Sequence, residues 1–189
     1  MAGEQDPEDE LESSADPDLS TDPDSPADLK TEEFARQIVL RRLTDQPRSR
    51  ADLEQALAKK QVPAEVARTV LDRMEEVGLV DDAEFAHSWV HSRQRTKGLA
   101  TRVLAMELRR KGIDDEVARV ALGELDPHTE VQAAHRLVQK KLRSMRGLER
   151  QAQIRRLTSM LARKGYPPGL AFSVVREELD AEAEPLESL

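Results

Sequence analysis

The sequence predicts an all-α protein, an elongated array of three tandem three-helix repeats of helix-turn-helix type, preceded by a disordered acidic N-terminal tail. Three observations carry that expectation. Aromatic residues are only 3% of the chain against 38% hydrophobic residues in all, so the core must be built from Leu, Val, Ile, Ala and Met, which suit packed helices better than sheets. One segment recurs three times: LEQALAKKQVPAEVARTVLDRM from Leu53, LAMELRRKGIDDEVARVALGEL from Leu104 and LTSMLARKGYPPGLAFSVVREEL from Leu157. Within each copy the apolar positions keep helical spacing, as in Leu53, Ala56, Leu57 and then Val66, Ala67, Val70, Leu71, Met74.

Taken in chain order, residues 1–30 are rich in Asp, Glu, Pro and Ser. They hold too little apolar surface to offset their conformational entropy, so they are expected to be a disordered tail. The first repeat is assigned to 31–80, the second to 81–127 and the third to 128–180, with a short acidic C-terminal tail over 181–189. Each repeat opens with a helix, marked by Phe34, Ile38, Val39 and Leu43, then Phe85, Trp89 and Val90, then Ala134, Leu137, Val138 and Leu142. A helix pair follows, in which Leu57, Leu108 and Leu161 correspond, as do Val62, Ile113 and Tyr166, then Ala67, Ala118 and Ala171, and finally Leu71, Leu122 and Val175. The pair is joined at Lys111-Gly112 and Lys164-Gly165, where Gly can take the left-handed conformation that ends a helix. The first copy has Gln61 there, at an expected cost in stability. Ser49 with Asp52 and Asp81 with Glu84 have the spacing of N-cap signals, and Gly78 is expected to close the helix before Asp81. One such unit buries little surface, so neighbouring units should stack.

Composition excludes several functions. The absence of Cys removes every disulfide, thiolate metal site and thiol nucleophile. The N-terminus has neither the basic nor the apolar region of a signal peptide, and nothing approaches the roughly 18 apolar residues of a membrane span. A soluble, cytoplasmic protein is expected, monomeric by default. There is no Gly-rich phosphate loop. Asp81 and Asp82 are explained by capping rather than acid–base work. His87 and His91 stand four apart on one helix, but no third ligand accompanies them in the sequence, so neither a metal nor a cofactor is expected.

The formal net charge of -8 averages opposite segments: residues 1–33 hold 13 acids and one base, 177–189 hold six acids and no base, and 34–176 hold 28 bases against 18 acids. Two basic stretches stand out. From Arg93 to Lys111 there are seven bases (Arg93, Arg95, Lys97, Arg102, Arg109, Arg110, Lys111) against the single acid Glu107. From Lys140 to Lys164 there are nine, among them Arg155, Arg156, Arg163 and Lys164, against Glu149. Such stretches suit phosphates or an acidic protein surface, because long cationic side chains steer encounter and release counterions without reading sequence. The acidic tail is either a solubilising end or a competitor for these clusters at low salt.

The segments GLVDDAEFAHSWVHSR (78–93) and TKGLATRVLAMELRRKGI (96–113) resemble the central motif of the RecX family: a Gly-hydrophobic-Asp-Asp/Glu…Phe-Ala junction, an Arg/Lys-Gly turn and a Glu-Leu-x-x-Lys-Gly-Ile helix end. The likeness runs from about 34 to 180. It departs at Leu99, where relatives often carry Pro, a change that a helix start tolerates. The resemblance implies a non-enzymatic array of three-helix repeats that binds RecA, lodges in the groove of its filament on DNA and suppresses strand exchange, ATPase and coprotease activity. The expected contact is a concave, basic face of repeats two and three carrying Arg93, Arg95, Lys97, Arg102, Arg109, Arg110, Lys111, Arg155, Arg156, Arg163 and Lys164, with direct non-specific DNA binding included. The alternative is a helix-turn-helix transcription regulator. Against it, the second helix of each pair starts with Ala64-Glu65, Asp114-Asp115-Glu116 or Pro167-Pro168-Gly169, which offer no side chain suited to a base edge. The aromatics Phe34, Phe85, Trp89, Tyr166 and Phe172 are assigned mostly to core faces, with Trp89 and Tyr166 the two able to be partly exposed.

Overall fold

The computed structural model describes residues 26–183, and the described residues form helices and connecting turns, with no strand. Three trios follow one another. The first is α1 (Pro26–Asp45), α2 (Arg50–Ala58) and α3 (Ala64–Glu76); the second is α4 (Asp82–Lys97), α5 (Thr101–Arg110) and α6 (Asp115–Gly123); the third is α7 (Pro127–Leu142), α8 (Arg150–Arg163) and α9 (Pro168–Ala183). Helix α1 begins with a proline, whose fixed φ and missing N–H suit a first helical turn. It starts earlier than residue 31, and α9 runs past 180, so each terminal helix takes a few residues from a stretch expected to be tail. The rest of both tails, with the expectations placed on them, lies outside the described residues.

Local chemistry sets the helix starts. The Ser49 hydroxyl accepts from Asp52 N at 3.2 Å, and the Asp81 carboxylate accepts from both Ala83 N and Glu84 N at 2.9 Å. Asp114 caps α6 through Glu116 N, and Asp126 caps α7 through His128 N. Each satisfies N–H groups that a helix cannot pair internally. Gly78, at φ +69, closes α3.

Every trio has its own core. Leu57, Leu108 and Leu161 are fully buried at its centre, with Val62, Ile113 and Tyr166 beside them. The aligned positions also share one hydrogen bond: Val62 N donates to Leu57 O at 3.2 Å, Ile113 N to Leu108 O at 3.1 Å and Tyr166 N to Leu161 O at 3.1 Å. This is the bond of a Schellman helix end, which needs a left-handed residue just before the donor. Gly112 (φ +72) and Gly165 (φ +94) supply it, and in the first repeat Gln61 adopts φ +61. A side chain in that conformation costs about 1–2 kcal/mol. Gln61→Gly should therefore raise the urea midpoint of unfolding, gaining about 1 kcal/mol after the added freedom of the unfolded chain is deducted. An unchanged midpoint would show that the first turn carries no such strain.

Helix packing of any extent stays within a trio, except where α4 meets α7. Ala100, at the start of α5, is buried in the core of the third trio. The architecture is a nearest-neighbour array, stabilised within modules and at two joints.

Candidate functional site

The eleven cations expected to meet a partner divide into two groups. Arg95, Lys97, Arg102, Arg110, Arg155, Arg156 and Arg163 are exposed, and no acidic side chain pairs with any of them among the described residues. Arg109 is also exposed and pairs with the equally exposed Asp115 at 3.2 Å, an interaction of a kind worth little in water. Within the free set, Arg102 and Arg110 on α5 fall at the same repeat positions as Arg155 and Arg163 on α8, following the alignment of Leu104 with Leu157. Met106, 47% exposed, lies one turn from both Arg102 and Arg110.

The other three are engaged inside the molecule. Arg93 lies over the Trp89 ring, 4.0 Å from its centroid, with Nε 3.6 Å from Glu107. Trp89 Nε1 donates to the same carboxylate at 2.9 Å. Lys111 and Lys164 take part in the joints between trios. Lys111 Nζ donates to Asp52 Oδ2 at 2.8 Å, and its carbonyl accepts from the Ser49 hydroxyl at 2.7 Å. Lys164 donates to the Lys97 carbonyl, and its own carbonyl accepts from Ala100 N at 2.9 Å. Burial, with Lys97 close by, lowers the Lys164 pKa. The sequence shows these lysines as charge in a basic run; their partners come from the neighbouring repeat.

Both joints follow one plan. The Schellman turn of the later trio docks on the start of the second helix of the earlier one, and the later trio's first helix supplies a carboxylate to that start. Asp82 Oδ1 accepts from Arg50 N at 2.8 Å, and Glu130 Oε2 accepts from Thr101 N at 3.1 Å and from the Thr101 hydroxyl. Burial raises the Asp82 pKa, only partly countered by its bond to Arg50. The second joint adds Tyr166, whose hydroxyl donates to Gly98 O at 3.2 Å. Burial pushes its pKa up to about 12, so it remains a neutral donor near pH 7. Tyr166→Phe leaves that carbonyl unpaired and should cost about 1 kcal/mol in thermal unfolding; no loss would show that the bond is replaced by water.

Two aromatic assignments are corrected. Phe34 is 49% and Phe172 52% exposed, because their neighbours Ala35 and Ala171 take the core positions. Tyr166 and Phe85 are buried, in line with their assignment to core faces, and Trp89 is half-buried. Trp89 stacks on Phe85 at 5.5 Å with Arg93 over its ring, so it offers no open platform to a nucleic-acid base. At the start of α6, Asp114, Asp115 and Glu116 are all exposed, and carboxylates there oppose the insertion of a recognition helix between phosphates. His87 and His91 do acquire a third neighbour, absent from the local sequence pattern: Glu124 Oε2 lies 3.3 Å from His87 Nε2.

A nearest-neighbour array of three-helix modules, with exposed cations repeated on successive second helices, defines the class: a tandem-repeat helical protein. Family models for the first, second and third three-helix domains of RecX match residues 35–74, 81–122 and 128–175. The chain belongs to the RecX family. It is 50% identical over 157 residues to "Regulatory protein RecX" of Streptomyces coelicolor, covering 83% of this chain and 84% of that protein. To the protein of the same name from Thermobifida fusca it is 51% identical over 148 residues, covering 78% and 80%. The crystal structure of RecX from Lactobacillus salivarius superposes with a TM-score of 0.69 at 20% identity, covering 79% of this chain and 97% of that one. A second crystal structure of regulatory protein RecX gives 0.69 at 23% identity, covering 80% and 74%. At those identities the two structures speak for the fold alone.

Proposed function

We propose that this chain is a non-enzymatic regulator that binds the RecA filament on DNA and suppresses its strand exchange, ATPase and coprotease activity. Membership of a family whose relatives are named regulatory proteins supports the regulatory role, and the resemblance over residues 78–113 is the ground for reading RecA as the partner. The observation that carries the surface is the pairing of Arg102 with Arg155 and of Arg110 with Arg163, exposed and unpaired at equivalent places in consecutive modules. Cations spaced by a structural repeat suit a polymer that is itself periodic, whether they meet phosphates or acidic side chains. On this reading the protein acts by binding, in the cytoplasm where RecA and its DNA are, as a monomer.

The test adds the full chain to RecA on single-stranded DNA and follows DNA-dependent ATP hydrolysis. Progressive suppression is expected. An unchanged rate, together with selective binding to one duplex among many, would transfer the case to a transcription regulator.

A further inference from the structure

The middle trio carries a cluster that lies outside the cations of the proposed binding surface. His87 and His91 stand one turn apart on α4, with ring centroids 4.4 Å apart and planes tilted by 55°. Glu124, the C-cap of α6, brings its carboxylate to 3.3 Å from His87 Nε2. One donor atom from each of the three residues lies within 4.8 Å of the others, and all three side chains are exposed. No hydrogen bond to another described residue holds either imidazole. The other histidine–carboxylate cluster has a different form. His135 is a lone imidazole between Glu177 and Glu178, at 3.6 and 2.7 Å, and the Glu178 carboxylate is already shared with Gln139.

We propose that His87, His91 and Glu124 bind a divalent transition-metal ion of the zinc type, which ties the end of α6 to the face of α4. Two imidazoles with one carboxylate are a nitrogen–oxygen donor set that zinc, nickel or copper accepts, whereas magnesium and calcium prefer all-oxygen sites. Metal–ligand bonds of about 2.0–2.2 Å in tetrahedral geometry place donor atoms about 3.3–3.6 Å apart. The His87–Glu124 separation already falls near that range, and rotamer changes of exposed side chains on a rigid helix close the remaining gap. His87 and Glu124 come from two helices packed together in one module, so the ion would add a cross-link that the unfolded chain lacks and would stabilise the fold by binding it preferentially. Exposure leaves the remaining coordination position to water or to a donor from another molecule.

The untagged full chain, stripped with chelator and dialysed, is titrated with zinc chloride by calorimetry. Cobalt substitution reports the ligand geometry through its visible absorption. Expected are one equivalent of zinc, binding at least tenfold weaker in His87→Ala and in His91→Ala, and several-fold weaker in Glu124→Gln. A zinc-dependent rise in Tm is expected in the wild type and in a His128→Ala/His135→Ala control, and its loss in His87→Ala. All the substituted histidines are exposed or half-buried, and circular dichroism checks that each variant folds. The proposal is overturned if the wild type takes up no zinc, if the two α4 histidine variants bind as the wild type does, or if binding disappears in the control instead.

Discussion

Gly112→Ala is expected to lower the stability of the protein by about 2–4 kcal/mol and to release the first trio from the second. Two costs combine. An alanine at φ +72 is disfavoured by about 1–2 kcal/mol, and its methyl would lie 2.3 Å from Ala51 Cβ. That neighbour is a methyl fixed to a helix backbone, not the end of a flexible side chain, so the turn itself has to move, at the roughly 1–3 kcal/mol typical of overpacking. The movement pulls Lys111 O from the Ser49 hydroxyl and Lys111 Nζ from Asp52. Urea unfolding measures the loss, and hydrogen exchange at Arg50 N and Asp52 N locates it. A loss below about 1 kcal/mol, within the range of ordinary surface changes, would mean that the joint yields without contributing to stability.

Reversing the four free arginines, as Arg102→Glu, Arg110→Glu, Arg155→Glu and Arg163→Glu together, is expected to weaken binding to the RecA–DNA filament at least a hundredfold near 0.1 M salt. If the side chains meet phosphates, each removed cation also lowers the slope of log affinity against log salt by about one. Among the described residues none of the four has a side-chain partner, so circular dichroism and Tm should stay near wild-type values. Lys111 is unsuited to this experiment, since a glutamate there would face Asp52 inside a joint and confound binding with folding. Undiminished suppression of RecA by the quadruple variant would remove these arginines from the contact.

The repeat was legible because its signal is local and thrice printed. Leucine at 57, 108 and 161 and the turn before Val62, Ile113 and Tyr166 each depend on spacing within one helix and the turn that follows it, and even the strain at Gln61 could be inferred from the Gly it replaces. What the sequence concealed are partners at long range. Lys111 and Asp52 are 59 positions apart, and no period connects them. Asp82 and Glu130 do the same work at the two joints, yet they differ in residue type and occupy different places in their helices, so alignment does not pair them. Phe34 and Phe172 fall one step of a helix, about 100°, from the core positions of Ala35 and Ala171, because a large apolar side chain beside a small one outweighs it in the sequence pattern although the repeat alignment already places Ala171. Glu124 joins His87 only through the packing of α6 on α4.

The two joints resemble vertebrae cut to one pattern but lubricated differently. Where the first places Asp52 opposite Lys111, the aligned position in the second is Val103, whose side chain lies against Gly165. Dissolved ions weaken an attraction between charges and leave hydrocarbon contact intact. As ionic strength rises, the spine should therefore loosen near its head first, while the seat between the middle and rear modules holds.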